Sequence, residues 1–135
     1  MDLNDKLTYI SSYCSKVLRK NFGRGPQSCQ STLNHNYLVL YIRGFISPME
    51  EVLLQQKQTD YIENARFVII KHILEELKGV VQVTLEVEVE EYYHDWNFPN
   101  NSGIIILVLE KEVLQTEIEQ DINMDYFEAE IARLS

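Results

Sequence analysis

The sequence predicts a two-layer α+β domain: a four-stranded, mainly antiparallel sheet with helices on one face, in the order α-β-β-α-α-β-β-α. Three observations predict it. Apolar residues recur at helical spacing over residues 3–21 and again over 62–77. Strand-like segments stand in adjacent pairs joined by turn-rich stretches. A chain of 135 residues with 45% hydrophobic content can fill one core without a disulfide or a metal, and is too apolar to be disordered.

Leu3, Leu7, Ile10, Cys14, Val17 and Leu18 trace one face of a first helix. Lys16, Arg19 and Lys20 crowd its last turns, where positive charge suits the helix dipole. Gly23 and Gly25 stop it and Pro26 prevents its resumption. Residues 27–33 read as a weak edge strand, Asn34-His35-Asn36 as a turn, and residues 37–43 as a strong β-branched and aromatic strand, together a hairpin. Ser47-Pro48-Met49-Glu50 is a helix start: serine caps, proline fits the first turn, and glutamate reaches back to the cap amide. Asp60 and Glu63 repeat that spacing ahead of a longer core helix. Its apolar positions are Ile62, Ala65, Ile69, Ile73 and Leu77, widened by Phe67, Ile70 and Leu74, and it ends before Gly79. His72 falls near this arc as a partly buried structural histidine.

Val81, Val83, Leu85, Val87 and Val89 alternate with Gln82, Thr84, Glu86, Glu88 and Glu90, the period of a half-buried strand. An aromatic loop over residues 92–103 follows. Ile104–Leu109, apolar on both faces, reads as an interior strand. Beyond it, Leu114, Ile118 and Ile122, then Phe127, Ile131 and Leu134, describe an amphipathic helical tail. The organisation expected is an α+β domain over 1–110 and an acidic helical tail over 111–135.

The formal charge of −9 is unevenly placed. Residues 1–49 hold six basic and two acidic side chains, residues 50–109 four and eleven, and residues 110–135 two and eight. The acidic total argues against a nucleic-acid partner. The basic first third still leaves room for one local anionic contact, and the acidic tail is a candidate to fold back over it. No run of 18 apolar residues suggests a transmembrane helix, and the first residues do not read as a signal sequence. Cys14 and Cys29 are expected to be reduced thiols of a cytoplasmic protein.

No HExxH, CxxC, EF-hand, Walker or Rossmann pattern occurs, so neither a metal nor a cofactor is expected. Glu86, Glu88 and Glu90 on one strand face are read as a solvated, aggregation-resistant surface rather than a chelate. The Gly23-Arg24-Gly25-Pro26 loop is the candidate anion- or partner-binding element. Its glycines let backbone amides approach a ligand, and Lys16, Arg19 and Lys20 add positive potential. A simple helix stop accounts for the same residues. Arg66, early in the core helix, is a poor place for a cation by dipole alone, so it calls for a carboxylate: Glu63, Glu50 or Asp95. His94, Asp95 and Arg66 form a minor enzymatic alternative.

These residues resemble a bacterial domain family named for MpsC, a component of a sodium-translocating, membrane-potential-generating system. Gly23-Arg24-Gly25-Pro26 matches the family's Gly-Lys/Arg-Gly-Pro, and a strand ends at Gly44. Ile46-Ser47-Pro48-Met49-Glu50 is similar to its Leu-Thr-Pro-x-Glu, with Arg66 and Asp95 at the later landmarks. The resemblance covers roughly residues 5–110 and leaves out the acidic tail. It implies a small cytoplasmic bacterial protein linked to membrane cation-translocating machinery, whose other members resemble subunits that pump ions or accumulate inorganic carbon. It supplies no catalytic residues. The expectation is a non-enzymatic accessory protein acting through protein–protein contacts, a homodimer with a membrane-system partner, or alternatively a small-anion or nucleotide sensor.

Overall fold

In the computed structural model, which describes residues 1–113, four antiparallel strands form one sheet in the order β1-β2-β4-β3. The strands are β1 (Ser28–Asn34), β2 (Tyr37–Arg43), β3 (Val89–Asn97) and β4 (Ser102–Leu109). The helices are α1 (Leu3–Phe22), α2 (Pro48–Gln55) and α3 (Thr59–Leu85), giving the expected α-β-β-α-α-β-β order. Side chains alternate across the sheet. Leu38, Leu40, Ile42, Ile105, Leu107 and Leu109 point inward and are fully buried against Ile10, Cys14, Val17, Ile70, Leu74 and Leu77. Ile104, Ile106 and Val108 point outward and stay partly exposed. So β4 is the interior strand its composition predicted, but among the described residues helices cover only one of its faces.

Local chemistry sets the element ends. Asp2 caps α1 through its carboxylate, and left-handed Gly23 closes it. The Ser47–Glu50 capping box of α2 forms as read from the sequence. The Asp60–Glu63 cap does not. Helix α3 begins at Thr59, and Gln58 caps it without a side-chain bond. Backbone amides of Lys57 and Gln58 bond the Leu54 and Leu53 carbonyls instead, so α2 turns directly into α3.

Helix α3 overturns the strand expected over 80–90. It runs through Gly79 to Leu85 and stops at Glu86, which adopts a left-handed φ of 55°. Val81 and Leu85 are four apart and continue the buried stripe of Ile70, Ile73, Leu74 and Leu77, while Val83, on the far side, is 80% exposed. Within residues 81–85 the apolar Val81 and Leu85 suit both periods, and packing against the sheet selected the helical one. The same stripe passes through Arg66 and Ile62, leaving Ala65 and Phe67 outside it and His72 exposed. The strand β3 instead occupies the segment read as an aromatic loop. Glu86, Glu88 and Glu90 therefore share no strand face: one caps α3, one lies in the connection, and one sits in the irregular step between Val89 and Glu91. Glu110–Val113 leave the sheet without helical structure. The tail helices expected further on fall on residues 114–135, outside the described residues.

Candidate functional site

Arg66 is 2% exposed, the one basic side chain in the described core. Glu50 answers it: Nε donates to Oε2 at 2.9 Å, and Nη2 donates to Oε1 and to the Phe45 carbonyl. Of the three carboxylates considered, Glu50 is the partner. Glu63 and Asp95 are exposed, and the Asp95 carboxylate accepts from the Trp96 amide. The Glu50 carboxylate also accepts from the Ser47 amide at 2.9 Å, so one side chain both caps α2 and neutralises α3's buried cation.

Three rings enclose the guanidinium. Its central carbon lies 4.1 Å from the Phe22 ring centroid, 4.5 Å from that of Phe45 and 4.9 Å from that of Trp96. This is cation–π geometry, strengthened by exclusion of water. Burial draws the Arg66 pKa below its ordinary value, and the Glu50 pair opposes that shift. Nη1 is buried without a hydrogen-bond partner, an atom the surrounding rings can serve only through weak N–H···π contacts.

The cage residues were not singled out in the sequence, and each has a local reason. Phe22 is the last residue of α1, immediately before the Gly23 cap. Phe45 is held by Asn101, whose side-chain oxygen accepts from the Phe45 and Ile46 amides. Trp96 pairs across the sheet with Gly103, and a Cβ there would lie 2.2 Å from the indole ring. The glycine lets the ring lie flat on β4 and face Arg66. A glycine opposite a tryptophan is a recognisable signal, but only once the register is known.

His94 stands beside Trp96 on the inward face of β3. Its Nδ1 accepts from the Trp96 Nε1 at 3.0 Å, so the ring is held neutral with its proton on Nε2. Burial lowers its pKa below the ordinary 6.5, with the Asp95 charge acting in the opposite direction. Glu63, Arg66, Phe67, His94, Asp95 and Trp96, with Phe98, line a cavity of about 360 Å³ between α3 and β3. Of the three residues named as an enzymatic alternative, His94 and Arg66 face this cavity, while alternation along β3 sets the Asp95 side chain on the other face of the sheet. The lining residues include no serine, threonine, cysteine or lysine, and Arg66 is already committed to Glu50.

The Gly23–Pro26 loop lies next to this cage, because Phe22 reaches Arg66 directly. Gln27 bonds the Arg43 carbonyl and packs against left-handed Gly44, tying the loop to the end of β2. The Arg19 guanidinium lies over Gly25, where a Cβ would come within 2.9 Å of Nε. Lys16, Lys20 and Arg24 are exposed. The sequence landmarks Gly23–Pro26, Gly44, Ser47–Glu50, Arg66 and Asp95 therefore gather at one end of the sheet. Among the described residues no group of histidine, cysteine and carboxylate side chains is placed to hold a metal ion. No helix there is long and apolar enough to cross a membrane.

Fold and site together define a two-layer α+β protein with a caged arginine joining its helices to one end of an antiparallel sheet. The chain belongs to the family described as the Na+-translocating membrane potential-generating system (MpsC), which matches residues 5–111. No curated protein sequence matches, and no solved structure does.

Proposed function

We propose that this protein is a non-enzymatic accessory component of a membrane cation-translocating system, pairing with a second copy through its open sheet face and acting through protein contacts. The family description supplies the link to a sodium-translocating, membrane-potential-generating system. The observation that carries the contact reading is the side of the sheet that no helix covers among the described residues. Cross-strand register places Tyr37, Val39, Tyr41, Ile104, Ile106 and Val108 in two adjacent apolar columns on β2 and β4. Gln30, Thr32 and Asn34 flank them on β1, and Glu91, Tyr93 and Asp95 on β3. An apolar centre with tyrosines and a polar rim is the composition of a protein interface.

A second copy suits this face because two apolar sheets stack at about 10 Å with side chains interdigitating. Four strands about 4.8 Å apart and about 23 Å long give roughly 440 Å² of plan area per copy. So small a face suits a reversible pair rather than an obligate one. The exposed basic loop at Arg24 remains free in such a pair to meet an acidic patch on a membrane-associated partner.

Tyr41 is 40% exposed on this face, which makes Tyr41→Lys a test that spares the core. Light scattering of the full chain at micromolar concentration should show a dimer, and Tyr41→Lys a folded monomer whose melting temperature equals that of dilute, dissociated wild type. Affinity-tagged full chain should co-purify a membrane-embedded cation-translocating subunit, and Arg24→Ala should lose it while staying dimeric. A monomer that co-purifies no such subunit would remove the proposal.

A further inference from the structure

Helix α1 and the edge strand β1 meet along a row of small side chains. Leu7, Ser11 and Cys14 follow one another on the helix face; Ser31 and Cys29 follow on the inward face of β1. The Ser31 hydroxyl donates to the Leu7 carbonyl at 2.5 Å and stands 2.6 Å from the Ser11 hydroxyl. From that fixed contact the two elements run antiparallel. Three residues along the helix, from Ser11 to Cys14, rise about 4.5 Å; two along the strand, from Ser31 to Cys29, rise about 6.6 Å in the same direction. The steps bring Cys14 and Cys29 opposite one another. They are the chain's two cysteines, and both are free thiols.

Their exposures differ. Cys14 is 1% exposed, inside the core. Cys29 is half-buried and lines an open groove of about 500 Å³ whose walls include Thr8, Ser12 and Ser15. A small oxidant can reach the outer sulfur but not the inner one.

We infer that Cys14 and Cys29 are a reversible redox site, with Cys29 the peroxide-reactive thiol and Cys14 the resolving one. The Cys14 thiol holds the Cys29 pKa below its ordinary value, against burial and with help from Ser15. The Cys14 thiol is itself pushed well up, by its bond to Cys29 and by burial. Cys29 therefore ionises first. Its thiolate attacks a hydroperoxide: a sulfur–oxygen bond forms, the oxygen–oxygen bond breaks, and the leaving oxygen departs as water or alcohol after taking a proton. Cys14 then attacks the sulfenic sulfur. The sulfur–sulfur bond forms, the sulfur–oxygen bond breaks, and the Cys14 proton leaves with that oxygen as water. Two electrons pass from the thiol pair to the peroxide. The bridge ties α1 to the sheet edge and closes a ring containing the whole Gly23–Pro26 loop, so the redox state of the pair restrains the basic loop.

The test treats the full chain with excess hydrogen peroxide, then alkylates it under denaturing conditions and measures intact mass. The expected product is a monomeric chain that has lost two hydrogens, takes up no alkylating agent, and recovers both thiols with a reductant. Cys14→Ser should stop at the sulfenic stage and be captured by dimedone on Cys29. Cys29→Ser should leave Cys14 unreactive until the chain is denatured. Two alkylatable thiols after peroxide, a bridge only between chains, or dimedone capture on Cys14 would each overturn the inference. The wild-type mass measurement decides it even if a serine variant fails to fold.

Discussion

Arg66 shows how one side chain can be costly and still indispensable. Moving a guanidinium out of water is repaid only by strong contacts, and here Glu50, the Phe45 carbonyl and three rings supply them, with Nη1 left to the rings alone. Removing either partner should strand the other as a buried charge. Arg66→Met and Glu50→Gln are each expected to lower stability by about 3–5 kcal/mol in urea unfolding. The double variant should cost less than the sum of the two, because neither charge is then left unpaired. Glutamine retains an acceptor for the Ser47 amide, so the Glu50 variant reports the ion pair rather than the helix cap. Arg66→Lys should not rescue, since an ammonium cannot stack flat between rings. His94 is the titrating residue of the same region. Its folded pKa is lowered, chiefly by burial, so below 6.5 the unfolded chain takes up the proton first. The stability His94 contributes is complete above that pH and is lost as pH falls through the lowered folded value. Protonation also removes the Nδ1 acceptor that Trp96 uses. Unfolding measured from pH 7.5 to 5 should show this loss, and His94→Gln should flatten it.

Helix α3 is the element whose extent packing decides. At 27 residues it is about 40 Å long, and its end is set by left-handed Glu86, with the Gln82 side chain accepting from the Val89 amide as the chain reverses into β3. Tyr13 and Tyr92 donate to Glu76 and Glu75 on successive positions of this helix, bracing it against α1 and β3. Gly79 looked like a terminator, yet it sits in the helix interior with no atom within 4 Å of where a Cβ would be. Gly79→Ala should therefore stabilise the protein by about 0.5–1 kcal/mol, read as a raised urea midpoint with an unchanged slope. A left-handed helix cap at that position would give the opposite sign. Elsewhere the sequence was a good guide at this scale: the α1 stop, the β1–β2 hairpin and the Ser47–Glu50 box are all local devices, and all three form as read.

For the whole molecule, a single layer of helices over a four-stranded sheet leaves an apolar face with no intramolecular cover among the described residues. If that face pairs copies reversibly, the melting temperature of the full chain should rise with protein concentration, while Tyr41→Lys should melt at one temperature throughout. The sequence by itself determined the order of elements and most of their local ends, because caps, turns and apolar periods act over a few residues. It also determined that Arg66 needed a carboxylate, because a cation on an apolar stripe is unstable alone. Tertiary structure decided which carboxylate, since Glu50, Glu63 and Asp95 were equally reachable until α2 packed beside α3. It decided that Phe22, Phe45 and Trp96 close around one guanidinium, a meeting of three separate segments with no local signature. And it decided that the valines after Gly79 belong to a helix, because over five residues two periods fit one pattern and only burial tells them apart.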